Sequence, residues 1–158
     1  MARKSPDKPP RRILNKKARH DYHILQTLEA GIVLTGSEVK SLRAGTAQLN
    51  EAFVRINGTK LTLYGCQIDR YPPATDRNHE PLRNRRLMLH KREILKLTVQ
   101  LVQAGSTLIP LSIYFNDRGL AKVELALVTG KREYDKRQDL RKKEHRREMD
   151  RAMNKRER

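Results

Sequence analysis

Apolar residues alternate along this chain only between residues 21 and 130, and the flanks on either side are basic. That segregation decides which part can bury a core. Residues 1–20 carry +7 and residues 131–158 carry +6, which leaves +4 for the stretch between them out of a total of +17. A segment without an apolar face cannot offset the entropy of ordering by burial. The chain therefore divides into a flexible basic arm at 1–14, broken by Pro6, Pro9 and Pro10, a folded domain at 15–130, and a basic tail at 131–158.

Within the domain, the stretch from Thr35 to Gly45 reads as a two-turn helix set between strands. Thr35 followed by Glu38 is a capping box, and Gly45 can take the left-handed conformation that stops a helix. Val39 and Leu42 share one face. They are expected to plug an apolar opening while Glu38, Lys40, Ser41 and Arg43 point away. So short a helix is not stable alone, and the neighbouring strands must hold it.

Before it, residues 21–34 read as one long strand with Tyr22, Ile24, Leu28, Ile32 and Leu34 on one side and a bulge expected at Gly31. After it, Ala52, Val54 and Ile56 alternate up to a hairpin turn at Asn57-Gly58, and Leu61 and Leu63 return. Residues 69–86, with three prolines and five arginines, read as a long polar loop. Helical spacing then places Ile94, Leu97, Thr98 and Leu101 on one face of a helix over 90–104 that ends at Gly105. Two last strands follow. Ile109, Leu111, Ile113 and Phe115 are expected to face one way, and after a turn at 116–119 Ala121, Val123, Leu125 and Leu127 do the same, with Lys122 and Glu124 outward. The expected class is mainly β: a closed antiparallel barrel of the oligonucleotide-binding type, with two to three flanking helices and a basic C-terminal tail.

The charge points to a polyanionic partner. A nucleic acid suits it better than a membrane, because no basic segment carries the broad apolar face of an interfacial helix and no stretch is long enough to span a bilayer. Without a secretory apolar run, and with Cys66 the sole cysteine, a reducing cytoplasm is expected, with Cys66 as a small core residue. The tail pairs Glu133 with Arg137 and Asp139 with Lys143 at helical spacing, too weakly to fold alone. It is expected to be disordered when free and helical against a polyanion.

Catalytic and metal chemistry is sparse. His20, His23, His79, His90 and His145 do not fall at zinc spacing, and there is no glycine-rich phosphate loop, so neither a metal site nor a cofactor is expected. His20 and His23, beside Arg19 and Tyr22, could stack on unpaired bases, or could equally be solvated surface rings.

Four ordered runs, NKKARHDY at 15–22, LEAGIVLTGSEVKSLRAG at 28–45, NHEPLRNRRLMLHKREI at 78–94 and YDKR at 134–137, resemble the small protein B family of tmRNA-binding proteins over about residues 13 to 140. The resemblance implies an oligonucleotide-binding-fold barrel that binds the tRNA-like domain of tmRNA and delivers it to stalled bacterial ribosomes. It implies no enzymatic activity. Carried onto this sequence, it places Asn15, Lys16, Arg19, His20, Tyr22, Glu29, Leu89 and Lys122 on the RNA surface. It also gives the tail Gly130, Lys131, Arg132, Tyr134, Asp135, Lys136 and Arg137 as ribosome contacts at the small-subunit decoding centre and message channel. Glu29 could accept hydrogen bonds from a guanine edge or a ribose hydroxyl, or could simply pair with Lys122. Two positions depart from the family pattern: Glu133 stands where lysine is common, and Met88 lies in a run usually of leucines. The implied protein is a cytoplasmic monomer. Its rivals are a general ribosomal or RNA-chaperone protein and an RNA-processing enzyme that would use Glu29 with His20.

Overall fold

A computed structural model describes residues 12–156, so the expected basic arm lies almost wholly outside the described residues. The elements in order are β1 (Ile13–Leu14), α1 (Ala18–Asp21), β2 (Tyr22–Ile32), α2 (Gly36–Ala44), β3 (Ala47–Gln48), β4 (Phe53–Asn57), β5 (Lys60–Tyr64) and β6 (Gln67–Ile68). A 3-10 turn (Pro72–Arg77), β7 (Arg85–Met88), α3 (Lys91–Ala104), β8 (Thr107–Phe115), β9 (Ala121–Gly130) and α4 (Glu133–Arg156) complete the chain. Seven strands form one antiparallel sheet in the order β1-β8-β4-β5-β7-β2-β9, while β3 and β6 pair separately. Because β8 also pairs with β9, the pairings lead from β8 through β4, β5, β7, β2 and β9 back to β8.

The main core lies inside that circuit. Leu42 from α2, Val54, Leu61, Leu63 and Leu87 from the strands, and Ile94 and Leu97 from α3 meet there with Leu108, Val123 and Leu125. Gly45 (φ 82°) and Gly105 (φ 54°) end α2 and α3 in the left-handed conformation expected of them. The hairpin turn is centred one residue later than expected, on Gly58 and Thr59, because Asn57 pairs with Lys60. Cys66 is a core residue, and burial pushes its thiol up to about 11.

Two bulges replace the one expected at Gly31. The β2–β9 register runs unbroken through Gly31 and shifts instead between Ile24 and Gln26. A Cβ at Gly31 would stand 3.0 Å from the terminal methyl of the Met88 side chain on β7. The second bulge lies between Pro110 and Ser112. It makes Leu111 the extra residue, so Leu108 and Ile113 both reach the main core, and Ile109 and Leu111 turn to the other face. There they form a second cluster with Ala126 and Val128, closed by Ala18 of α1 and Tyr22. The expectation that Ile109, Leu111 and Ile113 share a face is thus corrected.

A further correction concerns α2. Glu38 and Ser41 do not point to solvent but are fully buried. Glu38 accepts from the Thr35 amide at 2.7 Å, completing the capping box, and also from Arg83 Nη2 at 2.7 Å and Arg85 Nε at 2.9 Å. Arg85, itself fully buried, donates in addition to the carbonyls of Cys66 and Pro81. The stretch read as a polar loop therefore turns inward at its end and becomes β7. His79 is buried as well, between Ser37 Oγ at 2.9 Å and the Ile68 carbonyl at 3.0 Å.

Candidate nucleic-acid interface

Alternation along β2 and β9 sends Ala30 and Val123 inward and Glu29, Lys122 and Glu124 outward. Glu29 Oε1 lies 3.2 Å from Lys122 Nζ, and Glu29 Oε2 accepts the hydroxyl of Tyr114, one strand further on in β8. The Tyr114 hydroxyl, followed by Lys122, holds the Glu29 carboxyl below the ordinary glutamate range, while the same hydrogen bond pushes the Tyr114 phenol up to about 12. Glu29 stays half exposed and anionic. Of the two readings left open by the sequence, the pair with Lys122 is present, and the carboxylate keeps half of its surface exposed.

Beside this carboxylate opens a hollow of about 480 Å³ lined by Glu29, Gly31, Met88, Leu89, His90, Glu93 and Lys122. Three residues from distant parts of the sequence, Glu29, Leu89 and Lys122, are thus brought into one concavity. Leu89 packs partly on the core and supplies an apolar floor. Tyr114 and Arg12 were not among the expected residues. Arg12 binds Glu124 and Ser112 and lies 5.1 Å over the Tyr114 ring. No local pattern marks them, since Tyr114 joins Glu29 across 85 positions and Arg12 joins Glu124 across 112.

The remaining residues gather at the other end of the same ribbon, where Tyr22 pairs with Gly130. Tyr22 and Glu29 are seven positions apart, about 23 Å along a strand. Lys16, Arg19 and His20 are exposed there, with His20 Nδ1 2.9 Å from Asp21 Oδ1. Tyr22 is half-buried, packed on the second cluster. Asn15 is placed differently: it is 7% exposed, both amide hydrogens go to the carbonyls of Leu49 and Pro110, and its Oδ1 accepts from the Ala18 amide. It braces α1 rather than lying on the surface, because an unpaired amide could not be buried there without cost.

The start of the tail docks on this end. Lys131 donates from its amide to Asp21 O at 3.0 Å and from Nζ to Arg19 O at 2.9 Å, and it pairs with Asp139. Asp135 lies 3.4 Å from His23, and Lys136 lies 3.4 Å from Asp21. Arg132 and Arg137 are exposed, and the Tyr134 side chain lies outside what the structure describes. Beyond these contacts α4 is exposed along its described length, a helix of charges.

The family model of SmpB protein matches residues 12–155. The chain belongs to that family. It is similar to the SsrA-binding proteins of Acidothermus cellulolyticus (56% identical over 142 residues, 90% of this chain and 89% of the relative) and Thermobifida fusca (54% over 142 residues, 90% and 88%). The SsrA-binding protein of Desulforamulus reducens is 51% identical over 143 residues, covering 90% and 89%. A chain of the solved structure described as "tmRNA-SmpB: a journey to the center of the bacterial ribosome" superposes with a TM-score of 0.66 at 46% identity, covering 82% of this chain and 94% of that one. Among the described residues no helix is long and apolar enough to cross a membrane, and no group of three or more His, Cys, Asp or Glu could hold a metal ion.

Proposed function

We propose that this chain is a non-enzymatic adaptor of trans-translation, which binds the tRNA-like domain of tmRNA and brings it to stalled ribosomes. The observation that carries the reading is the convergence of Glu29, Leu89 and Lys122 on one hollow of a strongly basic protein whose relatives are named for SsrA binding. A hollow with an apolar floor, one lysine and two carboxylates, Glu29 and Glu93, suits the sorting of RNA by shape and by its hydroxyl and base edges, while the surrounding positive charge supplies affinity. The circuit of strand pairings supports a closed barrel of the oligonucleotide-binding type. The tail, beginning at Lys131 where the strands end, is the part free to reach into the decoding centre and the vacant message channel. We read the working protein as a cytoplasmic monomer with no cofactor. An acid–base pair of Glu29 with His20 is disfavoured by geometry, since Glu29 is engaged by Tyr114 and Lys122 and His20 by Asp21 at the far end of β2.

Competition at physiological salt separates this reading from a general RNA chaperone. Labelled tRNA-like domain is expected to stay bound when unlabelled elongator tRNA or duplex RNA is added at equal concentration. Displacement at parity would leave only sequence-blind electrostatic attraction and overturn the dedicated role.

A further inference from the structure

The wall of the molecule away from Glu29 carries a second, different surface. In the circuit of pairings, β4 and β5 are separated from β2 and β9 by β7 on one side and β8 on the other. Val54, Leu61 and Leu63 of this hairpin face the core, so Phe53, Arg55, Thr62 and Tyr64 face out. Phe53 and Tyr64, directly paired across the hairpin, stack with ring centroids 5.4 Å apart and planes 12° apart. Neither ring is among the side chains packed on the two core clusters, and both remain partly exposed. The Arg55 guanidinium lies 5.2 Å from the Phe53 centroid and 5.9 Å from that of Tyr64. A planar cation thus already occupies the position that a flat, electron-poor ligand would take against these rings.

The surroundings say which ligand. Thr62 pairs with Arg55 on one side and with Arg86 on the other, so the row beside the rings carries a guanidinium at each end, and Lys60 extends the positive charge along the hairpin. β4, β5 and β7 contain no Asp or Glu, and among the described residues Arg55, Lys60 and Arg86 make no ion pair. The Glu29 wall is the opposite case, with Glu29 and Glu124 interleaved among its cations. Aromatic rings flanked by unpaired arginines, with no carboxylate to discriminate, suit a sequence-tolerant stacking site. Cross-strand aromatic pairing by itself would stabilise the hairpin, but it requires neither the exposure nor the row of unpaired cations.

We infer that Phe53, Tyr64 and Arg55, with Arg86 and Lys60 as phosphate contacts, form a stacking platform for unpaired bases of a single-stranded RNA segment. It goes beyond the adaptor reading, which calls for no ligand on this wall. A base stacks on the Phe53–Tyr64 pair, Arg55 swings to cover it or to meet a phosphate, and the tRNA-like domain on the other wall stays in place.

The test uses the full chain saturated with unlabelled tRNA-like domain at moderate salt, titrated with fluorescein-labelled hexa-adenylate and read by anisotropy. The saturated protein is expected to bind the oligonucleotide. The charge-neutral double variant Phe53→Leu/Tyr64→Leu is expected to lose roughly tenfold or more of that affinity, with its binding of the tRNA-like domain and the salt dependence unchanged. Equal oligonucleotide binding by a folded double variant overturns the inference, and so does a parallel loss of tRNA-like domain affinity or displacement of one RNA by the other. Should the variant fail to fold, ultraviolet crosslinking of the unaltered chain to a 4-thiouridine hexamer decides. Adducts on the peptides holding Phe53 or Tyr64 are expected, and adducts found solely elsewhere refute the platform.

Discussion

Glu29 and Glu38 are both carboxylates beside cations, yet they do different work because one is half exposed and the other fully buried. For Glu29 the partners tune orientation. Tyr114→Phe removes the hydroxyl that fixes it and is expected to weaken binding of the tRNA-like domain about fivefold, with the thermal midpoint nearly unchanged. Glu29→Arg should weaken it more, despite adding positive charge, because an acceptor is lost. Titrations of both variants at moderate salt check this, and tighter binding by the arginine variant would remove Glu29 from the RNA surface. For Glu38 the partners decide stability. Burial pushes its carboxyl up, but Arg83, the Thr35 amide and Arg85 outweigh that and bring it below the ordinary range. A folded-state value below the unfolded one stabilises the protein above the ordinary glutamate range, and that contribution is lost as pH falls through the folded value. Glu38→Gln leaves Arg85 buried without its counter-charge and is expected to cost about 3 kcal/mol at neutral pH. Denaturant melts from pH 7 downward should show the gap between the two proteins narrowing with acidification; a gap constant with pH would mean that the charge of Glu38 contributes nothing.

Among the elements, α4 and the β2–β9 ribbon are joined by contacts of modest strength. His23–Asp135 and Asp21–Lys136 are partly exposed pairs, each contributing little. Lys131 is tied more firmly, through its amide and Nζ to backbone carbonyls. Replacing Asp135, Lys136 and Arg137 together with alanine should therefore leave the hollow intact and tRNA-like domain affinity within about twofold. Tagging of stalled chains in a reconstituted translation system is expected to be abolished on the proposal that the tail makes the ribosome contacts. Parallel loss of affinity and tagging would mean that strands and tail do not divide the work.

The whole molecule folds around two apolar clusters rather than one, and this moves its minimal boundary. Apolar alternation by itself suggests that a fragment from about residue 20 suffices. Ala18 closes the second cluster, Ile13 packs on the first, and Asn15 ties α1 to Leu49 and Pro110. A fragment of residues 12–130 is expected to unfold in one cooperative transition. A fragment of residues 20–130 should be less stable by about 3 kcal/mol, the loss of three buried hydrogen bonds together with apolar cover. Identical chemical melts for the two would show that the N-terminal brace is dispensable.

What was legible in the residues themselves was whatever depends on near neighbours. The capping box of α2, the glycine stops at Gly45 and Gly105, the inward Ile94 and Leu97 of α3, though not the exposed Thr98, and the alternation of β4, β5 and β9 follow from backbone preference and the positions of apolar groups a few residues apart. Charge segregation and the four family runs likewise pointed to the partner class before any contact was known. Tertiary structure alone decided the rest. One extra residue at Leu111 reverses the parity of β8 and creates the second cluster, and nothing local distinguishes that bulge from the one expected at Gly31. One arginine of a stretch that looked like a solvated loop, Arg85, became a core residue because Glu38, 47 positions away, waits inside to neutralise it. A side chain's sign and size are written in the sequence, but whether it meets water, a carboxylate or a ring depends on which strands pair, and that is settled only when the whole chain closes on itself.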